Sequence, residues 1–166
     1  MGQSKCIWVL FLLLFSSLTG CLSEGQTGSS ISLNVVADIE NTTLIETYSD
    51  GEISSVSNVS VVYDFSQTTA DLQLVTFGID PMDGRLPTTV DAGTNSQIEM
   101  NFENHGIYNI IAYAIDSNGG EQRTNFTLRI DLRIEWTESN TRDPKALIFD
   151  PIPVNGGPNP TMVEIE

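Results

Sequence analysis

An all-β antiparallel sandwich is the fold that residues 31–135 predict, on three observations. Apolar residues recur there with a period of two, the side-chain period of a strand. The recurring runs are short and are separated by Gly, Asn, Asp, Pro and Ser, the residues that close turns. No stretch after residue 30 carries the period of an amphipathic helix, so the strands lack helical crossovers and are expected to pair antiparallel.

Ile31, Leu33, Val35 and Ala37 alternate with mostly polar partners and predict the first strand. Val59, Val61, Tyr63 and Phe65 predict the next. Ile98, Met100 and Phe102 alternate with Gln97, Glu99 and Asn101, the pattern of a half-buried strand. Residues 107–115 are apolar on both faces, which predicts a central strand covered on each side. The longest alternation sets Phe126, Leu128, Ile130, Leu132, Ile134 and Trp136 against Thr127, Arg129, Asp131, Arg133 and Glu135. Between these last two strands, Asn118-Gly119 is a pair that tolerates the positive φ of a hairpin turn.

One segment carries a family resemblance. Phe102, Gly106, Tyr108, Ile110, Ala112, Ala114 and Asp116, followed by Asn118-Gly119-Gly120, resemble the closing half of PKD domains and related immunoglobulin-like modules over roughly residues 102–130. Thr76-Phe77-Gly78-Ile79-Asp80 stands where that family usually has a Trp-Asp-Phe-Gly-Asp-Gly motif, without the tryptophan. The physics behind the pattern is readable: Gly106 makes a tight turn, Tyr108 buries its ring and returns its hydroxyl to the turn, and residues 110, 112 and 114 fill the sandwich. The resemblance implies an immunoglobulin-like sandwich used for spacing or ligand binding in surface proteins, and it implies no catalysis.

The first thirty residues read as an address. Lys5 is the only charge before residues 7–15 (IWVLFLLLF), a run well short of the about 20 apolar residues that span a bilayer. A positive start, an apolar centre and then small residues are the layout of a cleaved secretory signal helix over residues 1–20. Leu18-Thr19-Gly20-Cys21 resembles the lipobox of prokaryotic lipoproteins, in which the cysteine thiol takes a diacylglycerol and becomes the first mature residue. Cys6 would leave with the signal, so Cys21 would remain without an intrachain partner, as suits an anchor better than a disulfide. Two buried acyl chains, at about 0.8 kcal/mol per methylene, hold where one binds reversibly. Residues 21–30 then form a flexible tether, and the protein is expected on the outer face of the cell membrane.

Composition excludes some partners. The formal charge is −15, and −16 once Lys5 is lost. Arg85, Arg123, Arg129, Arg133, Arg142 and Lys145 are the remaining bases, too few and too scattered for nucleic acid. Contact with an anionic membrane is therefore expected through the lipid on Cys21 alone. The acidity itself reads either as surface hydration or as calcium binding, with Asp80, Asp83 and Asp116 in glycine-containing turns as the candidate ligands.

No nucleophile signature accompanies His105, the only histidine, so no enzyme activity is expected. Asn41, Asn58 and Asn125 begin Asn-x-Ser/Thr sequons, acceptors for N-glycans in a host that glycosylates exported chains. After residue 136 come Pro144, Pro151, Pro153, Pro158 and Pro160 with Gly156 and Gly157; residues 136–166 are either a tail on the sandwich or the start of a second β domain. The function expected is a membrane-anchored, non-catalytic module that spaces or binds an unidentified surface or protein ligand through its far end. The alternatives are a calcium-stabilised adhesion module and an accessory subunit of a membrane complex.

Overall fold

A computed structural model describes residues 30–139 and 142–163; residues 1–20, Cys21 and the tether up to residue 29 lie outside the described residues. Eleven strands follow in order among the described residues: β1 (Ile31–Ser32), β2 (Val36–Ala37), β3 (Asn41–Ser49), β4 (Glu52–Val56), β5 (Val59–Asp64), β6 (Thr69–Ala70), β7 (Leu74–Asp80), β8 (Thr88–Asp91), β9 (Gln97–Phe102), β10 (Gly106–Asp116) and β11 (Glu121–Thr137). A six-stranded sheet runs β4-β3-β11-β10-β7-β8, and a three-stranded sheet, β2-β5-β9, faces it; β1 and β6 form a small pair. The fold is an immunoglobulin-like β-sandwich. One pairing departs from the antiparallel expectation: β3 runs parallel to β11, from Asn41 opposite Arg129 to Ser49 opposite Thr137. The chain passes from the small sheet, where β2 pairs with β5, to the large sheet, where β3 lies beside β11.

The β10–β11 hairpin forms as its turn residues dictate. Gly119 takes φ +81, and Oδ1 of the buried Asp116 accepts the amides of Asn118 at 2.8 Å and Gly120 at 2.9 Å, which ties the acid into the turn. At the other end of β10 the Tyr108 hydroxyl donates to the carbonyl of Asn104 at 2.9 Å, the tyrosine corner that the spacing predicts. Gly106, with φ +139, turns the chain into that strand.

The core lies between the sheets. Val59, Val61, Tyr63, Phe65, Ile98, Met100 and Phe102 are buried from one side, and Phe77, Ile79, Tyr108, Ile110, Leu128 and Ile130 from the other. Ala112 stands beside Ile79 and Ala114 beside Phe77, so small side chains of β10 lie next to large ones of β7 across the layer. Phe65 stacks on Phe77 at 4.6 Å, and Tyr108 meets Phe102 edge-on at 4.8 Å. Each fully buried aromatic or branched aliphatic side chain contributes about 1.5–3 kcal/mol by leaving water.

Two expectations need adjustment. Burial alternates along residues 31–40, but the run breaks into β1 and β2, which pair with β6 and β5 respectively. In β10 only Tyr108, Ile110, Ala112 and Ala114 face the core; Ile107, Ile111, Tyr113 and Ile115 form a half-buried outer surface. There Tyr113 lies flat across Gly78, where a Cβ would sit 2.2 Å from its ring, and Arg123 stacks 5.7 Å from its centre. Long neighbouring side chains and a glycine floor shelter that face instead of a second layer.

Candidate functional site: a ribbon beyond the sandwich

The alternation of β11 persists for 17 residues, whereas β10 has 11. Gly106 opposite Ile130 is the last β10–β11 pair, so residues 131–137 of β11 leave β10 behind and keep only β3 as a ladder neighbour. With β4 added on the far side of β3, a three-stranded ribbon extends past the sandwich by roughly 23 Å, at about 3.4 Å per residue. Its hairpin turn is Asp50-Gly51, with φ of +54 and +88, the two left-handed positions of a type I′ turn.

Side chains on the ribbon's inner face fall into rows set by register. Trp136, Tyr48 and Ile53 are level across the three strands, and below them come Ile134, Glu46 and Val56, then Leu132 beside Leu44. Leu44 reaches the sandwich core and is buried, while Tyr48 is sheltered and donates its hydroxyl to Glu46 at 3.0 Å. Trp136, Ile53 and Val56 keep 42, 56 and 50% of their surface in solvent. An alternating strand stays buried only where something lies opposite it, and β5 begins at Val59, beside Phe102, at the sandwich's own end.

The chain after β11 returns along this ribbon. Asp50 accepts the amide and hydroxyl of Ser139 at 2.8 and 2.7 Å, and these bonds hold its carboxyl below the usual aspartate range. Lys145 passes so close that a Cβ on Gly51 would lie 2.8 Å from its own Cβ. Further on, His105 donates from Nε2 to the carbonyl of Pro151 at 3.1 Å, since a carbonyl can only accept. Asn155 donates to Ile107 O at 3.3 Å, along the part of β10 that precedes its pairing with β7. Leu147, Phe149, Pro151 and Pro153 are the less exposed alternate residues of this return, while Ile148, Ile152 and Val154 stay open to solvent. No strand forms in the described part of residues 142–163; proline at 151 and 153 removes two ladder donors.

The structure distributes the residues singled out from sequence. Asn41 and Asn125 are exposed on the outer face of the large sheet, Asn41 opposite Arg129 and Asn125 opposite Ile111. Asn58 is exposed between β4 and β5 and donates to Asn101 Oδ1 at 3.1 Å. Asp80 and Asp83 lie at the ribbon end of the sandwich and Asp116 at the opposite end, where it pairs with Leu74, so the two turns are separated by the length of β7, about 20 Å. Asp80 accepts the Met82 amide. Burial would raise the Asp83 pKa, but hydrogen bonds and charge from Arg85, 2.7 Å away, outweigh it and hold the carboxyl low. The Arg85 guanidinium also caps Asn101 O at 2.7 Å and lies 5.1 Å from the Phe102 ring centre, so this pair fastens a loop to the core. Among the described residues no group of three or more His, Cys, Asp and Glu comes together.

Sequence reasoning did not find β4 or the ribbon. The signal was present in Asp50-Gly51, a strong hairpin pair, but the flanks Asn41-Thr-Thr-Leu-Ile-Glu-Thr-Tyr and Glu52-Ile-Ser-Ser-Val lack a clean apolar alternation.

No protein-family model matches the chain, and no curated protein matches it. Solved structures of similar fold include one described as a structural basis for the promiscuous specificity of carbohydrate-binding modules from the β-sandwich superfamily. That likeness has TM-score 0.49 and 16% identity over 63% of this chain, which spans 36% of the other's length. Another is the PKD1 domain of Vibrio anguillarum Epp, with TM-score 0.37 and 18% identity over 60% of this chain and 95% of that one. Likenesses of this size carry neither ligand nor role to this protein.

Proposed function

We propose that this protein is a lipoprotein held at the outer face of the cell membrane by a diacylated Cys21, and that it displays a non-catalytic β-sandwich whose ribbon is the binding end. The observation that carries the anchor is Leu18-Thr19-Gly20-Cys21 placed directly after an apolar run. The direction of the chain supports the rest. Ile31 enters beside Ala70, near the β10–β11 turn, where Ser117 donates to Gln73 O. The ribbon leaves from the opposite end. A tether fixed at Cys21 would therefore turn the ribbon, with its exposed Trp136, Ile53 and Val56, away from the lipid.

The test is fatty-acid labelling and membrane fractionation of the full chain in a bacterial host, beside Cys21→Ser. Label on the wild type and its loss, with release from membranes, in the variant are expected. Label that survives in Cys21→Ser, or a wild type that takes none, overturns the anchor.

A further inference from the structure

We propose that the outer edge of β4 is a strand-addition site for an extended segment of another protein, one that alternates apolar residues with Lys or Arg. This rests on the reading of the ribbon as the binding end and names the chemistry of its partner.

Among the described residues β4 ends the six-stranded sheet, and all five of its residues are exposed. Ser57, just after it, donates its amide inward to Ile45 O at 2.8 Å. Amides alternate in direction along an antiparallel ladder, so the preceding Val56 turns its N–H outward, away from β3. An open row of donors and acceptors is a template for another strand, and natural edges are usually blunted by Lys, Pro or inward charge. The opposite edge, β8, follows directly on Pro87; β4 contains neither Lys nor Pro. Ile53 and Val56 are half exposed along it, so an added strand gains apolar contact as well as hydrogen bonds.

Charge selects the occupant. The β3–β4 hairpin carries Glu46, Asp50 and Glu52 and no Lys or Arg; Lys145 of the returning tail lies against Gly51 and offsets part of that charge, leaving the hairpin net negative. A second copy of this chain would bring its own Glu52 and Asp50 to the same edge and be repelled. A basic, apolar strand meets complementary charge on a surface that otherwise repels most of the cell's anions.

The experiment is hydrogen exchange of the full-length protein in nonionic detergent with the synthetic peptide acetyl-Lys-Val-Lys-Val-Thr-Val-Lys-amide, and with its Lys-to-Glu counterpart. Saturable slowing of exchange in residues 52–57 by the Lys peptide, at least tenfold weaker with the Glu peptide, is expected. Val56→Pro should abolish the slowing without shifting the sandwich melt. Should that variant disturb the hairpin, Glu52→Lys leaves the backbone donors in place and should reverse the preference between the two peptides. Equal slowing by both peptides, slowing centred elsewhere, an unchanged preference in Glu52→Lys, or no slowing at about 1 mM peptide overturns the proposal. Protection of β4 that rises with protein concentration and needs no peptide also overturns it, in favour of self-pairing. The anchor stands or falls separately, because the fatty-acid labelling of Cys21 does not involve β4.

Discussion

The sandwich body and the ribbon share two strands, β3 and β11, yet the same side-chain period has different consequences in each. Leu128 and Ile130 are buried under β5 and β9; Ile134 and Trp136, two and three positions further along the same alternation, have no strand of the second sheet above them. Hydrophobic alternation thus records which face of a strand points inward. It does not record how long the opposite layer lasts. Where that layer ends, the apolar stripe becomes a surface available to a partner or to the chain's own tail.

The largest expected effect separates the two regions by stability. Phe102→Ala removes a ring packed between Tyr108 and Arg85 and should cost about 3–5 kcal/mol in urea or thermal melts. Trp136→Ala, equally aromatic but 42% exposed, should cost less than about 1 kcal/mol. Equal losses would mean that the ribbon is part of the cooperative core after all.

Next comes the joint between them. Gly106→Ala forces a side chain onto φ +139 and places its Cβ 2.8 Å from the Asn155 amide, so about 1–3 kcal/mol should be lost. Hydrogen exchange should quicken in residues 151–157 as well, because that contact is where the returning tail meets β10. Tyr108→Phe keeps the ring and removes the hydroxyl's bond to Asn104 O and its interaction with the Asn155 side chain, for about 0.5–1.5 kcal/mol.

The smallest effects are acid-dependent and should sort by region. Asp83 and Asp50 both have lowered pKa values in the fold. A lowered carboxyl contributes stability that is complete above its unfolded pKa, near 3.9, and is lost as pH falls through the lower folded value. Asp83→Asn should therefore flatten the fall in melting temperature of the sandwich below about pH 4. Asp50→Asn should leave that curve alone and speed exchange only around Ser139, whose amide it holds. A global change from Asp50→Asn would erase the distinction between the regions.

Much of the body was legible because its rules are local. Val59 to Phe65 and Ile98 to Phe102 alternate without a break, Asn118-Gly119 closes a hairpin, and the Phe102–Gly106–Tyr108 spacing foretells the tyrosine corner; each needs only neighbours within a few residues. The ribbon was hidden because Thr42 and Glu46 interrupt the inward apolar row of β3 while Ile45 stands on its outward side, and the inward row is completed by Trp136, 88 residues beyond Tyr48 in the chain.

The sequence by itself determined the all-β class, the inward faces of the main strands, the site of the Asn118-Gly119 hairpin and the net acidity, since all of these follow from side-chain period, backbone permissiveness and charge. Only the tertiary structure decided that β3 runs parallel to β11, that β11 outlasts both β10 and the facing sheet, and that β4 is the last strand of its sheet among the described residues. Those outcomes depend on where strands begin and stop relative to one another, and strand register is a long-range packing choice that no local pattern encodes.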